Sequence, residues 1–188
     1  TTPKGDIYPC CSNNYSAPFA NTKDMSLKQA FNCDKMKELR LDMLNERKNS
    51  ICDFCYRHEE AGPHSFRNYS KEQFAKHFDE LVPTTKEDGT VEEFRMHYFD
   101  IRFSNICNFK CRTCGAGFSS KWEQEDLKAK VVYARVVPKN DNPTFLQEVI
   151  DQVPNLHTAY FAGGEPLITE EHYILLEEMI RNGKTDIN

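Results

Sequence analysis

Three cysteines lie close together in the middle of the chain, at Cys107, Cys111 and Cys114. Thiolates at this C-x3-C-x2-C spacing on one short loop can bind three corners of a cubane iron–sulfur cluster. A structural zinc ion would need a fourth ligand to complete its tetrahedron. A cluster held by only three thiolates leaves one iron open to a further ligand. The spacing therefore indicates a reactive site rather than a structural one.

Zinc binding and simple burial are the alternative roles for these three cysteines. A zinc ion could take its fourth ligand from a distant histidine, with His97 and His157 as candidates. The thiols could also be unligated, since free cysteine packs as a small hydrophobic residue. Neither role uses an open coordination position, which distinguishes both of them from the cluster.

A glycine-rich segment, Gly163-Gly164-Glu165-Pro166, follows a short apolar run. Two glycines allow the backbone to take a positive φ or to approach a ligand closely, and the Glu165 carboxylate could pair with an ammonium group. By itself the string is typical of an ordinary turn. Next to an iron with an open position, it predicts an amino-acid ligand that chelates the iron and presents its amine to Glu165.

The chain contains five further cysteines, at Cys10, Cys11, Cys33, Cys52 and Cys55. No secretion signal begins the chain, so grouped thiols indicate metal binding rather than a disulfide framework. Cys33 stands alone and fits equally well as a buried small residue. The other four occur as tight pairs and are candidate metal ligands.

Apolar periodicity predicts the elements that position these residues. Residues 1–21 are expected to form a short hairpin or loop. Spacings of three and four predict helices over residues 25–48, with a break near Cys33 and a new cap at Asn32 or Asp34. A shorter amphipathic helix is predicted over 70–81, with Phe74, Phe78 and Leu81 on one face.

The second half of the chain alternates between strands and helices. Aromatic-rich and apolar runs predict strands over 94–103 and 156–161. Helices are predicted over 117–130, 143–152 and 169–182, whereas 131–137 fits either a helix end or a strand. The last helix is expected to turn five residues inward, namely Tyr173, Leu175, Leu176, Met179 and Ile180. This alternation is typical of a βα sheet or barrel, in which chemistry occurs on loops at the carboxyl ends of strands.

Bulk composition excludes some classes of partner. The net charge of −5 gives no electrostatic reason to expect nucleic acid. No apolar stretch approaches the about 18 residues of a membrane span, so a cytoplasmic protein is expected. The chain begins with Thr1 and ends at Asn188 without a terminating pattern, so we expect a fragment.

The cysteine and glycine motifs together resemble those of the radical S-adenosylmethionine (SAM) enzymes. The resemblance implies a 4Fe–4S cluster on the three cysteines, and SAM contacts from Gly163, Gly164 and Glu165. It also implies reductive cleavage of SAM to a 5′-deoxyadenosyl radical that abstracts hydrogen from a substrate, which a peptide would fit. The electron donor would be a flavodoxin or ferredoxin.

The resemblance carries expectations about fold and adenine packing as well. It implies an α/β protein in which residues 94–188 form the first βα units of a partial TIM-type (β/α)6 barrel. One position departs from the family pattern, because Thr113 occupies the place of the usual aromatic residue near the adenine. Phe109, inside the first gap, could take over part of that packing. Ser119, Ser120 and Trp122, which begin the next helix, are expected to be structural, with Trp122 covering the barrel edge.

The amino-terminal half resembles the SPASM or twitch module that carries an auxiliary iron–sulfur cluster in part of this family. Gly5 and Cys10 supply a Gly-x4-Cys element, and Cys52 with Cys55 supplies Cys-x2-Cys. The resemblance implies a second cluster on these cysteines, whose fourth ligand is either missing or replaced by Cys11 or Cys33. A small zinc ribbon is the alternative. The expected domains are a small α+β module over 1–82, a linker over 83–93 and the barrel part over 94–188.

A different functional class also fits the cysteines. The chain could be a non-catalytic iron–sulfur or zinc protein that carries electrons or binds a partner. Gly163, Gly164 and Glu165 distinguish the two classes, because an electron carrier needs no amine-binding loop. A shortened chain that binds cluster and SAM poorly is a third possibility.

Overall fold

The computed structural model describes residues 1–13, 15–130 and 136–188 as a mixed α/β protein with two small sheets of two strands each. The strands are β1 (Asp6–Ile7), β2 (Ala20–Asn21), β3 (Tyr98–Ile101) and β4 (Thr158–Phe161). The α-helices are α1 (Leu27–Phe31), α2 (Asp34–Leu44), α3 (Asp53–Glu60), α4 (Phe66–Phe74), α5 (Phe78–Leu81), α6 (Glu123–Lys128), α7 (Phe145–Ile150) and α8 (Glu170–Arg181).

Contacts divide the chain into two compact units. The first unit consists of Thr1–Ile7, Ala20–Leu27 and Arg95–Asn188, and the second of Tyr8–Phe19 and Lys28–Phe94. The break at residue 94 adjoins the predicted linker over 83–93, but the first unit also takes up two amino-terminal segments. The functional domains assigned to 1–82 and 94–188 stay a prediction.

The first unit is built around the parallel pair β3 and β4, which runs in register from Tyr98 opposite Thr158 to Ile101 opposite Phe161. Side chains alternate across a strand, so Phe99 and Ile101 share one face, and they are only 3% and 1% exposed. That face belongs to a core completed by residues of α7, α8 and the segments before β4, namely Phe145, Val149, Val153, Leu156 and Leu175.

Asn188 makes a single parallel bridge on the edge of β4 that faces away from β3. The N–H of Asn188 donates to the His157 carbonyl at 3.2 Å, and the Asn188 carbonyl accepts from the Ala159 N–H at 3.0 Å. This alternation between flanking residues is the parallel pattern. The predicted strand–helix alternation is therefore confirmed, and its two strands pair parallel, although the described residues do not form a closed barrel.

Several predicted elements are shorter in the structure. The strand predicted over 94–103 is limited to Tyr98–Ile101, and the helix predicted over 117–130 begins as a 3₁₀ turn, Ser120–Trp122, before α6. The helix predicted over 143–152 ends at Ile150. A separate 3₁₀ turn follows over Val153–Asn155, and Pro154 within it cannot continue an α-helix. Of the ambiguous segment 131–137, residues 131–135 lie outside the described residues.

The inward face predicted for α8 is partly wrong. Leu175 and Met179 are buried as predicted, together with His172, whose ring meets the Phe161 ring edge-on at 4.5 Å. Three predicted core residues are instead exposed, namely Tyr173 (48%), Leu176 (36%) and Ile180 (68%). The buried stripe at positions i, i+3 and i+7 is narrower than the apolar side of the helix.

The amino-terminal hairpin is confirmed. β1 and β2 pair antiparallel, with Asp6 opposite Asn21 and Ile7 opposite Ala20. Gly5 has a φ of +86°, and a Cβ at this position would overlap the Thr22 hydroxyl. The glycine of the Gly-x4-Cys element is thus required by the close approach of the two strands.

In the second unit, the helix break near Cys33 is confirmed, but Cys33 itself is the N-cap of α2, rather than Asn32 or Asp34. The helix predicted over 70–81 begins earlier, because the Ser65 hydroxyl accepts from the Asn68 N–H at 3.1 Å and caps α4. A 3₁₀ turn over Ala75–His77 separates α4 from α5.

This interruption turns Phe78 outward, and the Phe78 side chain is 61% exposed. The prediction that Phe78 shares one apolar face with Phe74 and Leu81 is therefore wrong.

None of the helices in the described part of the chain has the length and apolar character that a membrane span requires.

Candidate functional site

The three-cysteine loop leaves the carboxyl end of β3. Cys107 is buried, Cys114 is half-buried and Cys111 is exposed, and all three are free thiols. Burial raises the pKa of the Cys114 thiol, and the charges of Cys107 and Cys111 raise it further. The three thiols therefore lie within electrostatic reach of one another on one loop.

The spacing of the sulfurs bears on which metal group they could hold. Ligand sulfurs around one tetrahedral zinc ion are about 3.8 Å apart, given zinc–sulfur bonds near 2.3 Å. Among the described residues, no three cysteine sulfurs lie within 4.8 Å of one another. This holds for both groups of cysteines, so neither group is arranged around a single tetrahedral zinc ion.

Hydrogen bonds hold the three-cysteine loop from within. The Phe109 N–H donates to the Cys107 sulfur at 3.3 Å. The Ser119 hydroxyl donates to the Phe109 carbonyl at 2.9 Å, and the Ser120 hydroxyl accepts from the Cys107 N–H at 3.1 Å. The structural role expected for both serines is confirmed.

Trp122 also contacts this loop. Its indole N–H donates to the Cys111 carbonyl at 3.1 Å, and the Lys110 ammonium lies 5.1 Å from its ring centroid. The indole therefore orients the peptide that carries Cys111. The predicted role of Trp122, covering a barrel edge, does not include this contact. No periodic pattern in a sequence connects a side chain with a carbonyl eleven residues away.

Asn105 joins the base of the loop to the rest of the first unit. Its side chain is 1% exposed, accepts from the Val137 N–H at 2.7 Å and donates to the Ala116 carbonyl at 3.2 Å. Its own carbonyl accepts from the Ser120 N–H at 2.7 Å. No local pattern in the sequence indicates this residue, because its partners lie 11 and 32 positions away.

Replacing Asn105 with alanine is expected to lower the free energy of unfolding by about 2–4 kcal/mol. The reason is that the Val137 N–H and the Ala116 carbonyl lose the side chain to which they are hydrogen-bonded. Urea unfolding followed by circular dichroism measures the loss. Asn108→Ala, at an exposed position in the same loop, is the matched control and should change stability by less than about 0.5 kcal/mol. Equal losses for both variants would contradict the role assigned to Asn105.

The glycine loop after β4 packs directly against the three-cysteine loop. The Gly164 N–H donates to the Phe118 carbonyl at 2.7 Å, and the Glu165 N–H donates to the Ile106 carbonyl at 2.8 Å. Ile106 immediately precedes Cys107. The prediction that both motifs lie on neighbouring loops at one edge of the sheet is confirmed.

Both glycines have a structural reason to be glycine. Gly163 and Gly164 have φ values of +72° and +66°, which L side chains rarely adopt. A Cβ on Gly164 would lie 2.5 Å from the Ile106 carbonyl oxygen, and one on Gly163 would lie 2.7 Å from the Arg102 side chain. Close packing of the two loops therefore accounts for the pair without a ligand.

Glu165 and the two candidate adenine contacts are accessible. The Glu165 carboxylate is half-buried and accepts from the Leu167 N–H at 3.2 Å. Burial lowers the pKa of His172, and the Glu165 charge opposes that shift. Phe109 and Thr113 are both exposed on the three-cysteine loop. A carboxylate and two open contact positions thus lie on adjoining loops.

The two histidines proposed as distant zinc ligands lie at the wrong end of the sheet. His97 immediately precedes β3 and His157 immediately precedes β4, and their rings stack at 5.1 Å. The three-cysteine loop leaves the opposite, carboxyl end, about 10 Å away across the four residues of β3. Neither histidine is placed to share an ion with Cys107, Cys111 and Cys114.

Four of the remaining cysteines gather in the second unit. Burial raises the pKa of the Cys10 thiol, and the charges of Cys11, Cys52 and Cys55 raise it further. All are free thiols, and a set of four soft sulfur donors suits an iron–sulfur cluster. The donor set of this unit therefore fits the group that the sequence motifs imply.

Cys33 has different neighbours. Its thiol donates to the Phe19 carbonyl at 3.8 Å. Burial lowers the pKa of the Arg40 guanidinium, and the nearby Cys33 opposes that shift. It is not among the thiols whose charges raise the pKa of Cys10. The neighbours of Cys10 thus include Cys11, Cys52 and Cys55, but not Cys33.

Comparison with known proteins gives one family match. No curated protein and no solved structure matches the chain. No radical SAM core is detected either. The family model described as "SPASM: Iron-sulfur cluster-binding domain" matches residues 2–56, which include the four gathered cysteines and Cys33. Residues 2–56 are therefore similar to the SPASM iron–sulfur cluster-binding domain, a module typical of radical SAM enzymes.

Proposed function

We propose that this chain is part of a radical SAM enzyme in which Cys107, Cys111 and Cys114 hold a 4Fe–4S cluster. The observation that carries the proposal is the direct bonding of the glycine loop to Ile106, next to Cys107, in a chain whose residues 2–56 are also similar to a SPASM domain. When bound, the cluster supplies the electron that cleaves the carbon–sulfur bond of SAM and yields a radical for hydrogen abstraction.

The residues of this chain have distinct parts in that function. Glu165 presents a carboxylate that would pair with the SAM amino group. Gly163 and Gly164 bring that carboxylate next to the cysteine loop, and Phe109 and Thr113 offer exposed surface for the adenine. A flavodoxin or ferredoxin would deliver the electron, and a peptide is the proposed class of substrate.

The proposed fold is the start of a partial (β/α)6 barrel. Two observations support it, namely the parallel register of β3 with β4 and the parallel bridge that Asn188 makes on the outer edge of β4. In such barrels the reaction takes place at the carboxyl ends of the strands. Both candidate loops lie at that end.

The test is anaerobic reconstitution with iron and sulfide, reduction with dithionite, and chromatographic assay of 5′-deoxyadenosine after addition of SAM. We expect product only when protein, reductant and SAM are all present. Absence of product from the iron-loaded protein would contradict the proposal.

A second candidate is a non-catalytic iron–sulfur protein that transfers electrons. The observation that favours it is the tight packing of Gly164 against Ile106, which accounts for the glycines without any SAM. The electron paramagnetic resonance spectrum of the reduced cluster separates the two candidates. Addition of SAM changes the spectrum only if the open iron binds it.

We further propose that Cys10, Cys11, Cys52 and Cys55 hold the auxiliary cluster. In a background in which Cys107, Cys111 and Cys114 are alanine, Cys11→Ala is expected to lower the iron bound per chain to less than half. Cys33→Ala, the matched control, should leave it unchanged, because Cys33 contacts Phe19 instead. The opposite ranking of the two variants would identify Cys33 as the fourth ligand.

A further inference from the structure

Arg102 lies where the glycine loop meets the three-cysteine loop. It immediately follows β3, and the Ala162 N–H donates to the Ile101 carbonyl at 3.0 Å, so the backbone on both sides of this point is already paired. A Cβ on Gly163 would lie 2.7 Å from both the Cβ and the Cγ of Arg102, and 2.9 Å from its Cδ. The aliphatic stem of Arg102 therefore packs directly against the Gly163 backbone.

The other end of the same side chain contacts the segment that follows Cys114. The guanidinium carbon lies 5.3 Å from the centroid of the Phe118 ring, which is within the range of a cation–π contact. The Phe118 carbonyl in turn accepts from the Gly164 N–H at 2.7 Å. One side chain thus touches the glycine loop through its stem and, through its charge, the residue to which that loop is hydrogen-bonded.

Two acceptors confine the guanidinium. Its Nη1 forms an ion pair with the Asp100 carboxylate and donates to the Thr1 carbonyl at 3.0 Å. The Arg102 and Asp100 side chains are only 12% and 15% exposed. All of these residues belong to the first unit. Because both acceptors face the same nitrogen, the guanidinium is held in one place beside the Phe118 ring.

We propose that Arg102 is a positioning residue that increases the affinity for SAM by holding Glu165 at a fixed distance from the three-cysteine loop. The inference rests on the proposed radical SAM function. Glu165 directly follows the two glycines, so a shift of Gly163 moves the carboxylate as well. A ligand that contacts Glu165 and an iron on the other loop at the same time depends on the separation of the two loops.

The test compares the full chain, reconstituted anaerobically with iron and sulfide, with its Arg102→Ala variant. Iron content and circular dichroism are measured first. SAM binding to the oxidised protein is then measured by equilibrium dialysis, and KM and kcat are obtained from 5′-deoxyadenosine formation. We expect the variant to raise the Kd and the KM for SAM about tenfold, as for a misplaced hydrogen bond to a charged group. The kcat should change by less than about twofold, because the interaction acts on binding.

Hydrogen exchange gives a readout that does not depend on turnover. The Gly164 and Glu165 N–H groups both donate across the two loops, so their exchange reports how often the loops separate. We expect the peptide that contains residues 163–166 to exchange about tenfold faster in Arg102→Ala than in the parent. Mass spectrometry of the reconstituted protein without SAM measures this rate.

Three further variants accompany Arg102→Ala. Arg102→Lys keeps the stem and the positive charge, and its Kd should stay within about twofold of the parent's. Arg181→Ala removes an arginine that is 64% exposed at the end of α8, and it should leave the Kd unchanged. Phe118→Leu removes the ring but keeps the carbonyl that Gly164 uses, and it should raise the Kd about threefold.

The possible outcomes separate the inference from the proposed function. An iron-loaded Arg102→Ala variant with the parent's Kd, or with a lower kcat and an unchanged KM, would overturn the inference alone. An equal rise of the Kd in Arg181→Ala would do the same. If Arg102→Ala does not load iron, the Kd of Phe118→Leu decides. A loaded parent that binds no SAM would overturn the proposed function and the inference together.

Discussion

Replacing Cys111 with alanine is expected to reduce 5′-deoxyadenosine formation to the level of a protein-free reaction. Two thiolates cannot hold a cubane cluster in the arrangement that leaves one iron open. Cys111 is exposed, so its removal leaves no cavity in the core and the fold should persist. The loss therefore reports on the cluster. Product is measured by chromatography after anaerobic reconstitution, together with iron content and circular dichroism.

Cys33→Ala is the matched control for this experiment, because it removes a thiol that lies in the second unit and contacts the Phe19 carbonyl. We expect this variant to retain product formation. Retention of activity by Cys111→Ala would contradict the assignment of the three-cysteine loop. Equal loss in both variants would show that the effect does not come from that loop.

Replacing Gly164 with alanine is expected to cost about 2–5 kcal/mol of stability. A positive φ costs an L-residue about 1–2 kcal/mol, and forcing a methyl group into a filled site costs about 1–3 kcal/mol more. The new Cβ would meet backbone on every side, with the Ile106 oxygen at 2.5 Å and the Ser104 oxygen at 3.0 Å. Backbone atoms cannot rotate away, so the two loops must separate. Urea unfolding measures the loss.

The variant Gly183→Ala separates the cost of the positive φ from the cost of packing a methyl group into a filled site. Gly183 has a φ of +67°, close to that of Gly164, but nothing lies within 4 Å of the position of its Cβ. We expect this variant to lose only the conformational part, about 1 kcal/mol. If the two variants lost the same stability, the close approach between the glycine loop and Ile106 would not contribute to the fold.

The packing of Gly164 changes how the glycine motif supports the proposed function. Glycines next to a glutamate suggested close approach to a ligand, yet the close approach in the structure is to the Ile106 carbonyl. The motif therefore positions Glu165 by holding two loops together. In the proposed function, the Glu165 carboxylate is the member of the motif that would contact the ligand, and the glycines act through the backbone.

Local spacing in the sequence determined most of the secondary-structure elements of this protein. The strand–helix alternation, the break at Cys33 and the parallel sheet were predictable, because apolar periodicity and turn residues act over a few positions. The predictions were wrong where a local pattern did not define how far an element or its buried face extends. The apolar side of α8 is wider than the core it packs against, so Ile180 is exposed although its type and spacing favour burial.

Only the tertiary structure decided which distant residues meet. Cys11 and Cys33 are both compatible with a fourth thiol in the sequence, and in the folded chain the neighbours of Cys10 include Cys11, Cys52 and Cys55, but not Cys33. Likewise, no spacing rule connects Arg67 with Tyr56 or Asn105 with Val137. Hydrogen bonds and charge pairs depend on positions in space, which long-range packing sets. The sequence alone therefore predicted the ligand types and their local grouping, and the fold selected their neighbours.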